Sequence, residues 1–231
     1  CYKNSLALKP DFAEVLNNLG ACYHDLRDYN LAIYQFRKAI ILNKNYVDAY
    51  INKGNSLRVS GKIVESIKVL RNAIEIDPSV ANAYFSLGLS YRDDQNSEDA
   101  IKSFEHAIKI NNNYFEAYNH LGNLLKSIGK TSNAITIFEK VLKLKNDFYE
   151  VHRHLAFAKI YDGSERQIQD LLNYLDQKKL NDDDQINISF TLGKIYEDSG
   201  QFEKAFQFLK RGNKLRKKQL EYDVRFDIDL F

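Results

Sequence analysis

Residues 84–107 read YFSLGLSYRDDQNSEDAIKSFEHA. Around Gly88 the stretch holds a large residue four positions earlier, Tyr84, and another three positions later, Tyr91. Twelve positions after the glycine comes the small Ala100, then Phe104 and Ala107. Such offsets of three and four place each group on one face of a helix. Two such faces in succession predict two antiparallel helices joined by a tight turn. Moving outward, Gly20, Gly54, Gly88 and Gly122 stand 34 residues apart.

Every other position keeps this step. Leu16, Tyr50, Tyr84 and Tyr118 precede the glycines, and Tyr23, Leu57, Tyr91 and Leu125 follow them. Small residues recur at Ala32, Ser66, Ala100 and Ala134, then large ones at Phe36, Leu70, Phe104 and Phe138. Ala39, Ala73, Ala107 and Val141 close each unit. Glycine and alanine let the first (A) and second (B) helices of a hairpin approach closely, and aromatic side chains fill the space around them. The expected buried stripes include Leu16, Leu19, Tyr23 and Leu26 on one helix, and Ile33, Phe36, Ile40 and Ile41 on the next. A lone hairpin cannot cover such a face, so neighbouring hairpins must stack.

The expected organisation has five parts. Residues 1–12 close a preceding repeat, with Tyr2, Ser5 and Pro10 in phase, and residues 13–148 hold four regular repeats. An irregular fifth occupies 149–177, with a helix over Tyr149 to Ile160 and a turn at Asp162, Gly163 and Ser164. Its second helix carries Ile168, Leu171, Leu172 and Leu175. A polar linker spans 178–185, where Asp182, Asp183 and Asp184 suit a helix N-cap. A sixth repeat fills 186–231 through Gly193, Tyr196, Gly200 and Ala205, with an extended last helix.

Composition excludes several function classes. Lys and Arg number 33 against 31 Asp and Glu, so no charge excess points to nucleic acid or a membrane surface. No apolar run approaches the roughly 20 residues that cross a bilayer, and no signal peptide opens the chain. Two cysteines, Cys1 and Cys22, make no disulfide framework, which points to a reducing, cytoplasmic setting. No Met occurs even at position 1, so the chain reads as part of a longer polypeptide. No catalytic constellation, cofactor motif or metal-ligand spacing emerges.

The 34-residue pattern resembles the tetratricopeptide repeat (TPR) and covers nearly the whole chain. The resemblance implies an all-α, right-handed superhelical solenoid of antiparallel helix pairs whose A helices line a concave groove. It implies a protein-interaction scaffold that binds a protein or peptide, as a monomer or weak homo-oligomer. By phase the groove candidates are Asn17, Asn18 and His24, then Asn52, Asn55 and Arg58. Phase adds Asn82, Phe85, Leu89 and Arg92, followed by Asn119, His120, Asn123 and Lys126. Arg153, His154 and Phe157 come from the fifth repeat. An Asn amide both donates and accepts, so it matches any extended peptide backbone.

Arg58, Arg92 and Lys126 share one phase position, a basic ladder suited to an acidic or C-terminal carboxylate. Chaperone-binding TPR domains use a Lys/Asn clamp, and Asn17 stands where its first Lys belongs. His152 and His154, two residues apart, point to different helix faces. Cys22 is expected as a small buried hydrophobe, and the run Arg211, Lys214, Arg216, Lys217 and Lys218 as a solvated face.

A narrower resemblance covers the last third. The stretch FTLGKIYEDSGQFEKAF at residues 190–206, the run from Gly212 to Arg216, and Tyr222-Asp223 are similar to bacterial TPR sulfotransferases, as is His152-Arg153-His154-Leu155. That resemblance implies a following sulfotransferase domain with a Gly-rich phosphate loop. No such loop lies in these residues, so no transferase activity is expected of them.

Overall fold

The computed structural model describes residues 12–161, 165–176 and 180–220. The expected close of an earlier repeat, the turn at Asp162, Gly163 and Ser164, and Tyr222-Asp223 lie outside the described residues. The first helices are α1 (Phe12–Asp25), α2 (Tyr29–Leu42), α3 (Val47–Val59), α4 (Ile63–Ile76), α5 (Ala81–Asp93) and α6 (Ser97–Ile110). They are followed by α7 (Phe115–Ser127), α8 (Thr131–Leu144), α9 (Tyr149–Ala156), α10 (Glu165–Asp176), α11 (Asp182–Asp198) and α12 (Phe202–Gln219). No strand occurs among the described residues. The fold is all-α, a helical solenoid by class. It divides into two compact units, Cys1–Leu124 and Leu125–Phe231.

In the first unit α1 packs on α2, α3 on α4 and α5 on α6, while α2–α3, α4–α5, α1–α3 and α3–α5 contacts stack the hairpins. The glycines explain the intimacy. A methyl group on Gly20 would lie 2.6 Å from Phe36 Cε1, one on Gly54 2.6 Å from Leu70 Cγ, and one on Gly88 2.7 Å from Phe104 Cδ1. Each partner stands 16 residues after its glycine and is at most 1% exposed. Ser66 takes the place of the small alanine without leaving a polar group unpaired. Its hydroxyl donates to the Gly54 carbonyl at 2.7 Å and lies 2.9 Å from Ser90 Oγ.

The A-to-B turns share one geometry. The residue at the corner has positive φ: Arg27 (61°), Gly61 (82°) and Gln95 (61°) in the first unit, Gly129 (80°) and Gly200 (73°) in the second. The next N–H reaches back five residues, Asp28 to the Tyr23 carbonyl and Asn96 to the Tyr91 carbonyl, each at 2.9 Å, the C-terminal motif that a left-handed residue permits. Between repeats a different local bond turns the chain: Asn43, Asp77 and Asn111 side chains accept from the N–H two residues on, at 2.9–3.0 Å.

The second unit is less regular. Its core gathers Tyr149, Ala156, Tyr161, Ile168 and Leu171 with Ile188, Leu192, Ile195 and Tyr196. Helix α9 packs directly on α11, and α11 also packs on α10 and α12. Gly193 repeats the close approach, 2.7 Å from Leu209 Cδ2. Helix α12 runs 18 residues, against 14 for α2, α4, α6 and α8.

Several sequence expectations are corrected. Leu26 is 75% exposed because α1 ends at Asp25 and the chain has begun its turn. Ile41 is 64% exposed, since Ile40 takes the packed position and the next residue lies about 100° around the helix. Cys22 is exposed, two residues around from the buried Gly20. The fifth A helix stops at Ala156 rather than Ile160, and the chain leaves it to bury Tyr161 at 5% exposure. The polar segment after residue 180 is already helical. Asn181 caps α11 by accepting from Asp184 N at 2.8 Å, so the three aspartates form the first turn instead of the cap. The basic run faces them: Lys218 lies 3.7 Å from Asp182 and Arg216 4.0 Å from Asp183. Exposed pairs of this kind contribute little to stability.

Two substitutions test these constraints. Gly88→Ala is expected to cost about 1–3 kcal/mol, because Phe104 must move out of a filled core. Gln95→Gly is expected to stabilise by about 0.5–1 kcal/mol, since the left-handed corner disfavours a side chain. Urea denaturation measures both, and opposite signs at these two positions are the expected outcome.

Candidate functional site

The A helices α1, α3 and α5 of the first unit bring several phase-predicted residues together. Asn52 Nδ2 donates to Asn17 Oδ1 at 3.0 Å, joining adjacent repeats. Asn17 is buried at 6% exposure, so its amide is part of the stacking interface, whereas Asn18 is exposed. Such a bond contributes about 1 kcal/mol while both groups stay paired. His24 Nδ1 lies 2.8 Å from Ser56 Oγ, and the Ser56 hydroxyl lies 3.0 Å from the Asn52 carbonyl. His24, Asn52 and Asn55 line a cavity of about 170 Å³ with Ala21, Asp25 and Phe36. The buried Asn55 Oδ1 has no hydrogen-bond partner among the described residues.

A second cluster in this unit centres on Asp93, which the phase reading did not select. Arg58 Nη1 donates to Asp93 Oδ2 at 2.8 Å, and Arg92 Nη2 donates to Asp93 Oδ1 at 2.8 Å. Burial works against the Asp93 charge, but the Arg58 and Arg92 hydrogen bonds outweigh it and hold the carboxyl below its usual range. Two rungs of the expected ladder are therefore tied to one carboxylate. Arg92 Nη1 also reaches His120 Nδ1 at 3.0 Å, and because arginine only donates, that nitrogen accepts and the imidazole is neutral. The His120 ring stacks on Phe104 at 5.9 Å and 18°, and lies 5.4 Å from Phe85. Asn123 Nδ2 donates to Asn119 Oδ1 at 3.2 Å on the same helix as His120. Asn82 accepts from the Tyr114 hydroxyl at 3.1 Å.

Lys126, Arg153 and His154 belong to the second unit. Lys126 is half-exposed in the last turn of α7. Arg153 Nε donates to Asn187 Oδ1 at 2.8 Å, and its side chain lines a cavity of about 630 Å³ with Lys145, Asp147, Glu150, Asp184 and Arg216. His154 packs against Phe138 at 5.8 Å, while Phe157 is 48% exposed. His152, 4% exposed, donates from Nε2 to the Asn146 carbonyl at 2.7 Å and accepts at Nδ1 from Gln167 at 3.3 Å. It is a satisfied core histidine, and burial lowers its pKa. Among the described residues no group of three or more His, Cys, Asp or Glu gathers as a metal site. No described helix is long and apolar enough to cross a membrane.

Sequence reasoning missed Ser56, Asp93, Gln167 and Asn187. The partners that join them across the fold lie 15 to 35 residues away, so no local motif marks those contacts. The 34-residue step places Arg92 one repeat beyond Arg58, with Asp93 directly after it.

Family models of the tetratricopeptide repeat match residues 13–46, 115–148 and 186–219, and a TPR repeat model matches 54–95 and 88–129. The chain belongs to the tetratricopeptide-repeat family. Among solved structures, this TPR chain is similar to MamA at 20% identity over 93% of this chain and 97% of that one, with a TM-score of 0.57. YrrB, described as a TPR protein with an unusual peptide-binding site, matches at 15% identity over 91% and 98%, TM-score 0.57. The first TPR of Spaghetti (RPAP3), solved with the HSP90 peptide SRMEEVD, matches at 22% identity over 52% and 95%, TM-score 0.50. At these identities the likeness shows the fold. No curated protein matches the sequence.

The neutral His120 has a pH consequence. Burial, then the Arg92 and Arg58 charges, push its pKa below the ordinary 6.5, against smaller opposing effects of Asp93 and Glu116. The unfolded chain therefore binds more protons than the fold as pH drops through about 6.5, and stability is lost on acidification. His120→Asn is expected to flatten the loss of stability between about pH 7 and pH 5, with the remaining slope carried by His152. Parallel pH profiles for variant and parent would refute this role.

Proposed function

We propose that the chain is a protein-interaction scaffold that holds an extended peptide or partner segment along the A-helix face of its first unit, as a monomer or weak homo-oligomer. One observation carries the reading: His24, Asn52 and Asn55 converge on one cavity, and the Asn55 Oδ1 acceptor there has no partner among the described residues. A buried unpaired acceptor costs about 1–3 kcal/mol, which a peptide N–H entering the cavity would recover. Asn side chains read backbone and leave the ligand's sequence to neighbouring contacts. The peptide-binding descriptions of YrrB and of the RPAP3 domain support the reading by likeness of fold.

The test starts from a random-peptide phage library selected on the full chain. The tightest peptide is then titrated by calorimetry against Asn55→Leu and Asn52→Leu. Affinity should fall about tenfold for Asn55→Leu, the value of one well-placed buried hydrogen bond. Unchanged affinity in both variants would place the peptide elsewhere and end this reading.

The sulfotransferase resemblance of residues 190–223 adds a second proposal, in which the array presents an acceptor protein to a catalytic domain. The codons following Phe231 decide it: a strand leading into a Gly-rich phosphate loop supports it, and further repeats remove it.

A further inference from the structure

The Arg58–Arg92 cluster has the form of a carboxylate site that already holds a carboxylate. The two guanidinium groups come from successive A helices and take different oxygens of Asp93, each at 2.8 Å. Both are held in place by more than that contact. Arg92 also meets His120 Nδ1 at 3.0 Å, and the His120 ring packs against both Phe85 and Phe104. The Arg58 side chain is 19% exposed, with its Nε buried. A pair of guanidiniums so positioned is suited to bidentate recognition of a carboxylate.

The occupant is poorly placed by comparison. Asp93 is the last residue of α5, where the helix dipole disfavours negative charge, and Asp94 follows as the C-cap. Its side chain remains 27% exposed, so solvent or a ligand can reach it. At the equivalent step the neighbouring repeats carry Val59 and Ser127, so the helix end does not require an acid there.

We propose that the Arg58–Arg92 pair is a carboxylate-binding subsite of the peptide face, occupied in the free chain by its own Asp93, and that an acidic peptide side chain binds by displacing that residue. Asp93 then sets a threshold. Peptides with isolated or distant acids do not compete with it, while a dense acidic segment does. The inference rests on the A-helix face being a peptide surface, and it specifies the ligand as acidic.

The probe is a fluorescein-labelled decapeptide of alternating Ser and Glu, with a Ser-Gln decapeptide as its neutral counterpart. Both are titrated by fluorescence anisotropy against the full chain. Asp93→Asn should tighten the Ser-Glu peptide about tenfold, because removing the internal competitor raises the competent fraction, and should leave the Ser-Gln peptide unchanged. Asp93→Ser, which copies the residue at position 127, should act alike and serves if the Asn variant folds poorly. Arg58→Gln with Arg92→Gln should abolish the difference between the two peptides. Equal or weaker binding of the Ser-Glu peptide to both Asp93 variants, at unchanged helicity, overturns the proposal. Failure of the peptide-face reading has a separate signature, a library-selected peptide indifferent to Asn55→Leu and Asn52→Leu.

Discussion

A glycine on one helix and a large apolar side chain on the next, pressed to within what a single methyl group would fill, underlie the remaining structure. At Gly20, Gly54, Gly88 and Gly193 the missing Cβ would meet Phe36, Leu70, Phe104 or Leu209 at 2.6–2.7 Å. Only a residue without a side chain lets the paired helix bring its ring or branched end so near. Once that contact forms, the small residues on either side, Ala32 and Ala39 or Ala100 and Ala107, are drawn to complete burial. The pairing also sets the turn, because a short connection between closely packed helices needs a left-handed corner. Arg27 and Gln95 adopt it despite their side chains, in the places where Gly61 and Gly129 stand in the other repeats.

With the cores of successive hairpins filled in this way, the polar residues of the A helices face one another across repeats. Several of their bonds run between helices. Asn17 pairs with Asn52, His24 with Ser56 and Arg58 with Asp93, each across 32 to 35 residues of sequence. The face is thus a set of paired amides and charges, and the atoms left over define where a ligand finds opportunity. Asn55 Oδ1 is one such atom. The Asp93 carboxylate, held by two arginines yet placed at the wrong end of a helix dipole, is another kind.

The second unit keeps the same packing rule at Gly193 and relaxes it before that point. Ala156 occupies the glycine position of the fifth repeat, α9 spans only 8 residues, and Tyr161 turns inward to join Ile188, Leu192 and Ile195. A buried, fully hydrogen-bonded His152 takes the place of an apolar core residue. Charge is distributed differently as well. The acidic first turn of α11 and the basic last turns of α12 meet as exposed pairs, so the lysine and arginine run is not a free patch.

By itself the sequence determined the helical class, the hairpin period and the identity of the buried face, because glycine, alanine and aromatic residues at a 34-residue step admit one packing solution. It also marked which helix of each pair carries the amide-rich face. It misjudged Leu26, Ile41 and Cys22, where one or two residues of helical rotation or an early helix end separate buried from exposed. The A-helix side chains were legible as a row and illegible as contacts. Arg58 and Arg92 look alike in phase, and only tertiary structure shows that they converge on Asp93 and that His120 steadies one of them. Periodicity reports the direction in which a side chain leaves its helix. Which group it meets depends on the reach of both partners across the interface, and that is set when the hairpins stack.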